Sequence, residues 1–339
     1  MKPLAYLLLT AGLASAATHE ATDIKSLMAA CQNAVPGDEI VIAKGVHILK
    51  DKSRIHIMDR PGPITVRGAT GDPKDVIIEG LGQDNKAVEM IFELTGSPNW
   101  TFRDLTTRKS YYHGFKLNTS SSGCVLKNVV MLDHGESGVK GTSDPDKDAY
   151  PDGLLVENCE IGFTEKTGGT RSVVEGIDGV AVKGWIIRGN RFVNIQKNGQ
   201  PAYGAFTKGN SLETVIENNH FENCFIGASF GGGGTGAAFF RDHDRSVEHR
   251  WGVIRNNTFT NCTDAAIYIN KGNSCRIEGN QMIACGANIE LRFPETTGWV
   301  KDNKAEKSKA PVVKVRDGAT LLGDAPGKDV RENKSPSGQ

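Results

Sequence analysis

The sequence predicts an all-β fold, a single-stranded parallel β-helix (a solenoid) with an N-terminal capping helix. Short runs of strand-forming residues recur, and each run ends in an asparagine at a turn: Asn128, Asn158, Asn190, Asn219, Asn257, Asn280 and Asn303. These asparagines are separated by 30, 32, 29, 38, 23 and 23 residues. A period near 23 with some longer members is typical of stacked coils.

The N-terminal cap is predicted from residues 23–43. Apolar residues at helical spacing indicate a helix over 23–34, and the turn-forming residues 36–38 end it. Alternation over 39–43 then indicates a first strand. A helix here would cover the apolar interior of the first coil, because the ends of a solenoid need a lid.

One β-helix domain is expected over 17–322, since residues 53–320 consist of short strands rich in Val, Ile and Phe. Residues 323–339 are polar and charged, so we expect a disordered tail there. Residues 1–16 carry one positive charge, a short apolar run and an Ala-Ser-Ala end, which is typical of a cleaved signal peptide. We therefore expect a secreted or periplasmic protein with no membrane span.

The charge balance is neutral. The 339 residues include 40 lysines and arginines and 40 aspartates and glutamates. This balance gives no reason to expect nucleic acid or an anionic membrane surface as a partner, and we expect a monomer. The sequence also has no Gly-x-Ser-x-Gly elbow of a serine hydrolase and no His/Cys spacing of a zinc site.

Three of the seven cysteines follow the repeat. Cys224, Cys262 and Cys285 each stand five residues after a repeat asparagine, and Ile195 holds the same place after Asn190. A place shared by isoleucine and cysteine is typical of the core, where a free thiol packs as a small apolar group. The sequence therefore predicts a buried stack of thiols. Disulfides between neighbouring coils are the alternative, and an odd count leaves at least one thiol unpaired.

Four middle coils are longer than 23 residues, which indicates insertions. We place them at 135–152, 165–180, 196–208 and 230–251. Insertions in a solenoid tend to emerge on one face, and that face often binds the ligand. Because these insertions hold most of the polar residues suited to chemistry, we expect a loop-walled groove for a long, polar, repetitive ligand.

The cap and the Val-Ile-Glu-Asn-Asn coils resemble right-handed parallel β-helix proteins of the pectate lyase-like superfamily, most of all the chondroitinase B and alginate lyase group. Residues 203–211 resemble the strand on which that group places a catalytic lysine, here Lys208. Residues 175–178 resemble the acidic cluster with which a related pectate lyase group holds calcium. The chain departs from the alginate and chondroitin lyases at 201–203, where carboxylates are expected, and at 230–234, where an Arg-His-Gly turn is expected.

The resemblance implies an exported lyase that cleaves an acidic, uronate-containing polysaccharide by β-elimination. That reaction needs a cation or strong donors to neutralise the uronate carboxylate, and a base to take the proton from the neighbouring carbon. Lys208 is the implied base. Counting back from the repeat asparagines puts Asp178, Lys208 and Arg245 on one line, provided that the insertions lie upstream of them. The dipeptide Lys-Gly recurs at 140, 183, 208 and 271, so a turn residue is the alternative interpretation of Lys208.

The longest insertion holds clustered cations next to an aromatic residue. Arginine and aromatic side chains suit an acidic sugar chain, through bidentate carboxylate contacts and stacking. A salt-bridged surface loop is the alternative. The candidate catalytic residues are Lys208, Arg245 and His243, and the candidate substrate-binding residues are Arg241, His249, Arg250 and Tyr203.

Calcium is the cofactor that the resemblance implies. Glu175 and Asp178 are candidate ligands, with Asp152 joining from the preceding coil, and a solvated acidic loop is the alternative. Two other functions stay open. A glycoside hydrolase on the same fold would need two facing carboxylates, for which Asp148, Asp152 and Asp178 are candidates. A non-catalytic carbohydrate-binding or surface protein is the other, since a fold alone does not fix function.

Overall fold

The structure is a computed structural model that describes residues 16–50, 52–165, 173–197, 200–232 and 234–323, and the backbone of 330–332. The described residues form one α-helix, four short 3-10 turns and 34 strands. Nearly all of the predicted signal peptide lies outside the described residues. No helix in the described part of the chain has the length and apolarity needed to cross a membrane.

The elements in chain order are β1 Thr18–Ala21, α1 Ile24–Asn33, β2 Glu39–Ile42, β3 Gly45–Ile48, β4 Ile55–Met58, β5 Ile64–Gly68, β6 Val76–Glu79, β7 Met90–Thr95, β8 Trp100–Arg108, β9 His113–Leu117, β10 Val125–Leu132, β11 Ser137–Gly141, β12 Leu155–Glu157, β13 Glu160–Gly162, β14 Val174–Val180, β15 Ile186–Arg188, β16 Arg191–Val193, β17 Ala202–Lys208, β18 Ser211–Leu212, β19 Val215–Glu217, β20 His220–Glu222, β21 Ile226–Phe230, β22 His249–Arg250, β23 Val253–Arg255, β24 Thr258–Thr260, β25 Ala265–Asn270, β26 Gly272–Asn273, β27 Cys275–Glu278, β28 Gln281–Ile283, β29 Ala287–Arg292, β30 Thr297–Lys301, β31 Lys304–Glu306, β32 Val313–Arg316, β33 Thr320–Leu322 and β34 Val330–Glu332. The 3-10 turns are Pro73–Asp75, Pro145–Lys147, Ala237–Phe239 and Arg241–His243.

The strands stack in parallel, one turn of the chain on the next. An 11-stranded sheet runs in the order β4, β7, β9, β11, β14, β17, β21, β25, β29, β32, β34. A 20-stranded sheet forms the other long walls, and β18, β22 and β26 form a short third sheet. Each strand therefore pairs with its equivalent in the neighbouring coil, and the parallel β-helix predicted from the repeat is confirmed.

The predicted capping helix is also confirmed. The carboxylate of Asp23 accepts a hydrogen bond from the Ser26 N–H at 2.7 Å, and the Ser26 hydroxyl accepts one from the Asp23 N–H at 3.0 Å. This reciprocal cap satisfies N–H groups that the first helical turn leaves without partners. Leu27, Ala30 and Cys31 on the inner face of α1 are buried, so the helix covers the first coil.

A ladder of buried asparagines runs through the corner between paired strands of the 20-stranded sheet, at Asn190, Asn219, Asn257, Asn280 and Asn303. The backbone N–H and the side-chain amide of Asn219 both donate to Asn257 Oδ1, at 2.9 and 3.0 Å. The same amide also donates to the Ile187 carbonyl at 2.8 Å. Each rung thus ties one coil to its neighbours on both sides, which holds the corner in one register.

Two of the repeat asparagines, Asn128 and Asn158, lie one residue out of line with the buried ladder. Glu157 pairs with Arg188, so Asn158 lies opposite Gly189, and Cys159 lies opposite Asn190. Asn158 has a positive φ of 54°, as Gly189 does at 65°. The corner therefore needs two adjacent places, a left-handed residue and a buried rung, and Asn158 fills the first of them.

Two apolar stacks fill the interior beside this corner. The rings of Phe192, Phe221 and Phe259 stack with centroids 4.5 and 4.7 Å apart. All seven cysteines are buried and unpaired, which confirms the predicted thiol stack at Cys224 and its equivalents. Side chains of one kind at one place in successive coils therefore build a continuous core.

The predicted tail at 323–339 contains one short strand. Residues 330–332 form β34, which pairs in parallel with β32. Residues 324–329 and 333–339 lie outside the described residues, so the disordered tail stays an expectation.

We predict that replacing one ladder asparagine destabilises the fold. Asn219→Ala removes a side chain that accepts from Asn190 and donates to Ile187, and should lower the free energy of unfolding in urea by about 1–3 kcal/mol. Asn33→Ala is the control, because Asn33 is exposed and makes one hydrogen bond within its own helix. Equal losses for the two variants would mean that the ladder does not stabilise the stack.

Candidate functional site

The outer face of the 11-stranded sheet carries a row of polar and aromatic side chains. Pairing between the strands places them one above another, about 4.8 Å apart. In strand order the row consists of Glu93, Lys116, Lys140, Asp178, Phe206, Ser229, Tyr268, Glu290 and Lys314. This row forms the floor of the candidate site.

Glycines set which residues of these strands face outward. A Cβ added at Gly176 would lie 2.9 Å from the Phe192 ring, and one at Gly204 would lie 2.8 Å from the Phe221 ring. These positions face the core and leave room only for hydrogen. The residues that follow these glycines, Ile177 and Ala205, also lie in the core. Gly176 and Ile177 are therefore two consecutive inward positions, and the residues on either side of them, Glu175 and Asp178, both lie on the outer face.

Loop residues that follow two strands of the sheet form a wall of this face. Residues 142–152 follow β11, and residues 231–232 and 234–248 follow β21. The insertions placed at 165–180 and 196–208 contain all of β14 and β17, and residues 166–172 and 198–199 within them lie outside the described residues. The expected groove therefore has a wall on the side where β11 and β21 end.

Two lysines meet at one buried carboxylate on the groove floor. Lys140 Nζ contacts Asp178 Oδ2, and Lys208 Nζ lies 3.8 Å from the same oxygen. Asp178 is fully buried, and its other oxygen has no hydrogen-bond partner among the described residues. Burial alone would lower the pKa of Lys140, but the adjacent carboxylates, Asp178 first, outweigh it and raise that pKa. Lys140 therefore stays positively charged.

A cleft of 240 Å³ opens beside these lysines. Lys140 and Lys208 line one side, and the segment 234–239 with Phe239 covers the other. Lys208 Nζ also lies 4.7 Å from the centre of the Phe206 ring. Both ammonium groups are thus accessible from the groove although their stems are packed.

Glu175 is a second buried carboxyl on the same strand. It is 3% exposed, and its Oε2 has no hydrogen-bond partner among the described residues. Burial, with the charge of Asp178 as the next cause, raises the pKa of Glu175 well above its ordinary value. A protonated carboxyl can donate a hydrogen bond, and Asp178 differs from Glu175 in that two lysine ammonium groups lie against it.

A histidine and a serine flank Glu175 on the two preceding coils. Ser137 pairs with Glu175 and with His113, and the Ser137 hydroxyl lies 2.8 Å from His113 Nδ1. Burial, followed by the charge of Lys140, lowers the pKa of His113 well below 6.5, so its imidazole is neutral. The sequence analysis did not single out Ser137 or Lys140 as site residues.

The predicted line of Asp178, Lys208 and Arg245 is only partly present. Lys208 pairs with Val180, two residues along from Asp178, and reaches it diagonally. The residue in register on β21 is Ser229, whereas Arg245 is exposed in the segment after β21. The count failed because this insertion lies downstream of the strand. The same count left Lys140 off the line, because residues 142–152 follow β11 and do not precede it.

The cations of the longest insertion mainly hold that insertion in place. Arg241 is 7% exposed, contacts Asp152 and lies over the Tyr150 ring at 3.7 Å. Arg250 donates to Asp244 at 2.7 Å and to Asn210 at 3.0 Å. These contacts favour the alternative interpretation, a salt-bridged loop.

Two histidines of the same stretch differ in exposure. His243 is half-exposed, and its Nε2 lies 3.4 Å from Asp146 in the neighbouring wall. His249 is fully buried, stacks on Phe230 at 4.1 Å and has no hydrogen-bond partner for either ring nitrogen among the described residues. Its position in the core keeps His249 from contact with a ligand in the groove.

Tyr203 lies on the groove floor, next to Glu175 in the strand register. Its ring stacks on Phe206 with centroids 4.4 Å apart. Gly232 passes directly over the phenol, because a Cβ at Gly232 would lie 3.0 Å from the hydroxyl oxygen. Gly232 has a φ of +127°, so both backbone conformation and space require glycine here. Gly232 is thus a site of close approach between the backbone and the Tyr203 ring.

The three candidate calcium ligands do not converge. Asp152 contacts Arg241 and accepts from the Lys183 N–H at 2.8 Å, whereas Asp178 faces two lysines and burial raises the pKa of Glu175. No three His, Cys, Asp or Glu side chains in the described ranges are placed to share a metal ion. Cationic neighbours and a carboxyl with a raised pKa do not fit calcium, which prefers ionised oxygen ligands.

The fold and this face define a parallel β-helix protein with a charged, loop-walled groove. The structure is similar to an alginate lyase from Paenibacillus sp. str. FPU-7, with a TM-score of 0.57 and 15% identity over 80% of this chain and 97% of that chain. It is similar to PfbA, a surface adhesin of Streptococcus pneumoniae, with a TM-score of 0.57 and 14% identity over 86% and 77%. It is also similar to the polygalacturonase of Erwinia carotovora ssp. carotovora, with a TM-score of 0.55 and 13% identity over 94% and 96%.

These similarities show a common fold. No protein-family model matches the chain, and no curated protein matches its sequence. The chemistry of this chain is therefore inferred from the side chains of its own groove.

We predict that Glu175 makes stability fall as pH rises. A raised folded-state pKa means that the folded state binds the proton more tightly, so this contribution is full below about 4.5 and is lost as pH rises toward the folded-state pKa. Glu175→Gln has no proton to lose, so its unfolding free energy should gain on that of the wild type as pH rises. Urea denaturation from pH 4 to pH 9 measures this gain. Glu306→Gln, at an exposed residue, should show none, and a flat difference for Glu175→Gln would contradict a neutral Glu175.

We predict opposite effects for two buried histidines whose pKa values burial lowers to about 3. His134 bonds Ser110 at 2.7 Å and Thr107 at 3.1 Å, so His134→Leu should cost about 1–3 kcal/mol at pH 7. His249→Leu should be neutral or stabilising, because no hydrogen bond is lost. It should also reduce acid lability, since a buried neutral histidine stabilises the fold above about pH 6.5 and loses that effect as pH falls. Equal losses at pH 7 would show that His249 has a partner.

Proposed function

We propose that the protein is a polysaccharide lyase that cleaves a uronate-containing chain by β-elimination in the groove of the 11-stranded sheet. The observation that supports this most is the meeting of Lys140 and Lys208 at Asp178 beside an open cleft. Two lysines and one aspartate leave one formal positive charge on the groove floor. That charge suits one carboxylate of an acidic sugar.

Each of three groups has a role in this proposal. Lys140, which stays cationic, binds the uronate carboxylate and stabilises the negative charge that develops on it. Glu175, whose buried carboxyl has a raised pKa, is protonated in this proposal and donates a hydrogen bond to the same developing charge. Lys208, after it has lost its own proton to water, takes the proton from the carbon that bears the carboxylate. A double bond then forms to the next carbon, the bond from that carbon to the glycosidic oxygen breaks, and this oxygen takes up a proton from water.

Location and calcium use are further parts of the proposal. The apolar leader of residues 1–16 supports a secreted or periplasmic protein, where such a polymer would be met. Lys140 supplies the positive charge that calcium would otherwise supply to the substrate carboxylate. We therefore propose that activity does not depend on added calcium and survives a chelator.

A glycoside hydrolase is the second candidate. The observation that favours it is the buried Glu175, whose pKa burial raises, three residues from Asp178 on one strand, since hydrolases pair a carboxyl of raised pKa with a second carboxylate. The sequence-based pair drawn from Asp148 and Asp152 has no such support, because Asp148 is exposed in the wall and Asp152 is paired with Arg241.

We predict that the protein releases unsaturated products from a uronate polymer. Alginate, pectate and glycosaminoglycans are incubated with the protein, and ultraviolet absorbance and new reducing ends are recorded together. Lys208→Ala should lower the rate about 10²–10⁴-fold. Lys183→Ala is the matched control, because Lys183 also precedes a glycine but pairs with exposed Glu213 on a turn. The control should retain the wild-type rate.

Three results separate the candidates. Absorbance that rises with the reducing ends supports the lyase. Reducing ends without absorbance would establish the hydrolase instead. Full activity of Lys208→Ala, or equal losses in Lys208→Ala and Lys183→Ala, would refute the assignment of the base.

A further inference from the structure

The cleft beside the two lysines has an aromatic residue in its wall. Phe239 lines the 240 Å³ cleft together with Lys140 and Lys208, and it is 46% exposed. Eight other phenylalanines are less than 2% exposed. A single exposed apolar residue on an open surface needs no explanation, but this one lies where the proposed substrate would bind.

Phe239 belongs to a strap, residues 234–240, which is anchored on its C-terminal side. Phe240 is only 6% exposed, so its ring packs into the protein. The next residue, Arg241, is 7% exposed and donates from Nε to the Ala181 carbonyl at 3.1 Å. The backbone beside Phe239 is thus held by the fold, whereas the Phe239 side chain stays accessible from the cleft.

The strap is also tied to the turn that follows Lys208. The Gly209 N–H and the Thr235 hydroxyl donate to the same oxygen of Glu248, at 2.8 and 3.0 Å. A Cβ added at Gly209 would lie 3.1 Å from the Phe239 carbonyl oxygen, so the two backbones pass close to each other. These contacts set the position of Phe239 relative to the candidate base.

The cleft is narrow where the strap crosses it. A Cβ added at Gly236 would lie 3.1 Å from Phe239 Cδ2, so the strap passes the ring with little room for a side chain. Gly236 itself lines the cleft. Pockets for drug-sized ligands have volumes of roughly 300–1,000 Å³. The smaller cleft found here suits one sugar unit of a longer chain.

Another exposed aromatic side chain of the same insertion lies away from the cleft. Trp251 is 53% exposed, and in the sequence it directly follows the clustered cations. It stands two residues before β23 of the 20-stranded sheet, and its N–H donates to the Asn273 carbonyl at 3.0 Å. Among the described residues that line the cleft, the aromatic one is Phe239.

We propose that Phe239 is a substrate-binding residue whose ring stacks on the sugar unit in this cleft, with the carboxylate of that unit at Lys140. The proposal rests on the proposed function, since it assumes a uronate unit beside the lysines. A sugar ring has C–H groups on its faces and hydroxyl groups at its edge, so an aromatic ring covers a face while polar groups bind the edge. Phe239 has no group that transfers a proton, so its contribution is to affinity.

Three substitutions at Phe239 separate stacking from packing of the strap. Calorimetry measures the binding of hexamers of mannuronate, guluronate and galacturonate, in a Lys208→Ala background so that no ligand is consumed. For the hexamer that binds most tightly, Phe239→Ala should weaken binding about tenfold, as expected for the loss of one aromatic contact. Phe239→Leu should lose most of the same affinity, whereas Phe239→Tyr should restore it to within about twofold.

Trp251→Ala is the matched control and should change the affinity by less than about twofold, because Trp251 is equally exposed but lies outside the cleft. Thermal unfolding confirms that each variant is folded, and no shift is expected for substitutions at exposed Phe239. Selective loss in Phe239→Ala and Phe239→Leu supports the proposal even if the parent protein forms no unsaturated product, which separates it from the test of catalysis. Equal losses at Phe239 and Trp251, full binding in Phe239→Ala or Phe239→Leu, or binding of no hexamer by the parent would overturn it.

Discussion

The parallel stacking of coils is the constraint on which the rest of the structure depends. Each coil contributes one asparagine rung, one inward glycine and one aromatic or thiol to stacks that run the length of the middle coils. The Asn219 amide alone bonds the coils before and after it. A slip of one residue would break these bonds and turn each core side chain outward. The same register therefore fixes which side chains meet on the outer face.

Register explains how charges that are distant in sequence come to share partners. Lys140, Asp178 and Lys208 lie on three successive strands of one sheet, and the close approach of Gly176 to Phe192 keeps Asp178 on the outer side. A buried carboxylate is costly unless cations compensate it, and here two do. At Glu175 burial outweighs the same lysines and raises the pKa of the carboxyl. One strand thus presents two buried carboxyls in different surroundings, three residues apart.

The sequence was sufficient for the architecture because the repeat reports on packing. Equivalents of Asn219 and Cys224 recur at fixed distances along the chain, and this recurrence predicts that both are buried, as they are. The site was less accessible, since a count along the chain does not reveal on which side of a strand an insertion lies. Arg245 was therefore placed wrongly and Lys140 was missed. His249 shows a different limit of the sequence. A polar residue in a loop-like stretch predicts a ligand contact, but His249 stacks on Phe230 and is buried in the core.

The most direct test of the whole account is a crystal structure of Lys208→Ala with a bound uronate octamer. We expect a substrate carboxylate within hydrogen-bond distance of Lys140 Nζ and sugar rings over Tyr203 and Phe206. An octamer that bound away from Lys140, for example on the 20-stranded sheet near the exposed Trp299, would contradict this expectation.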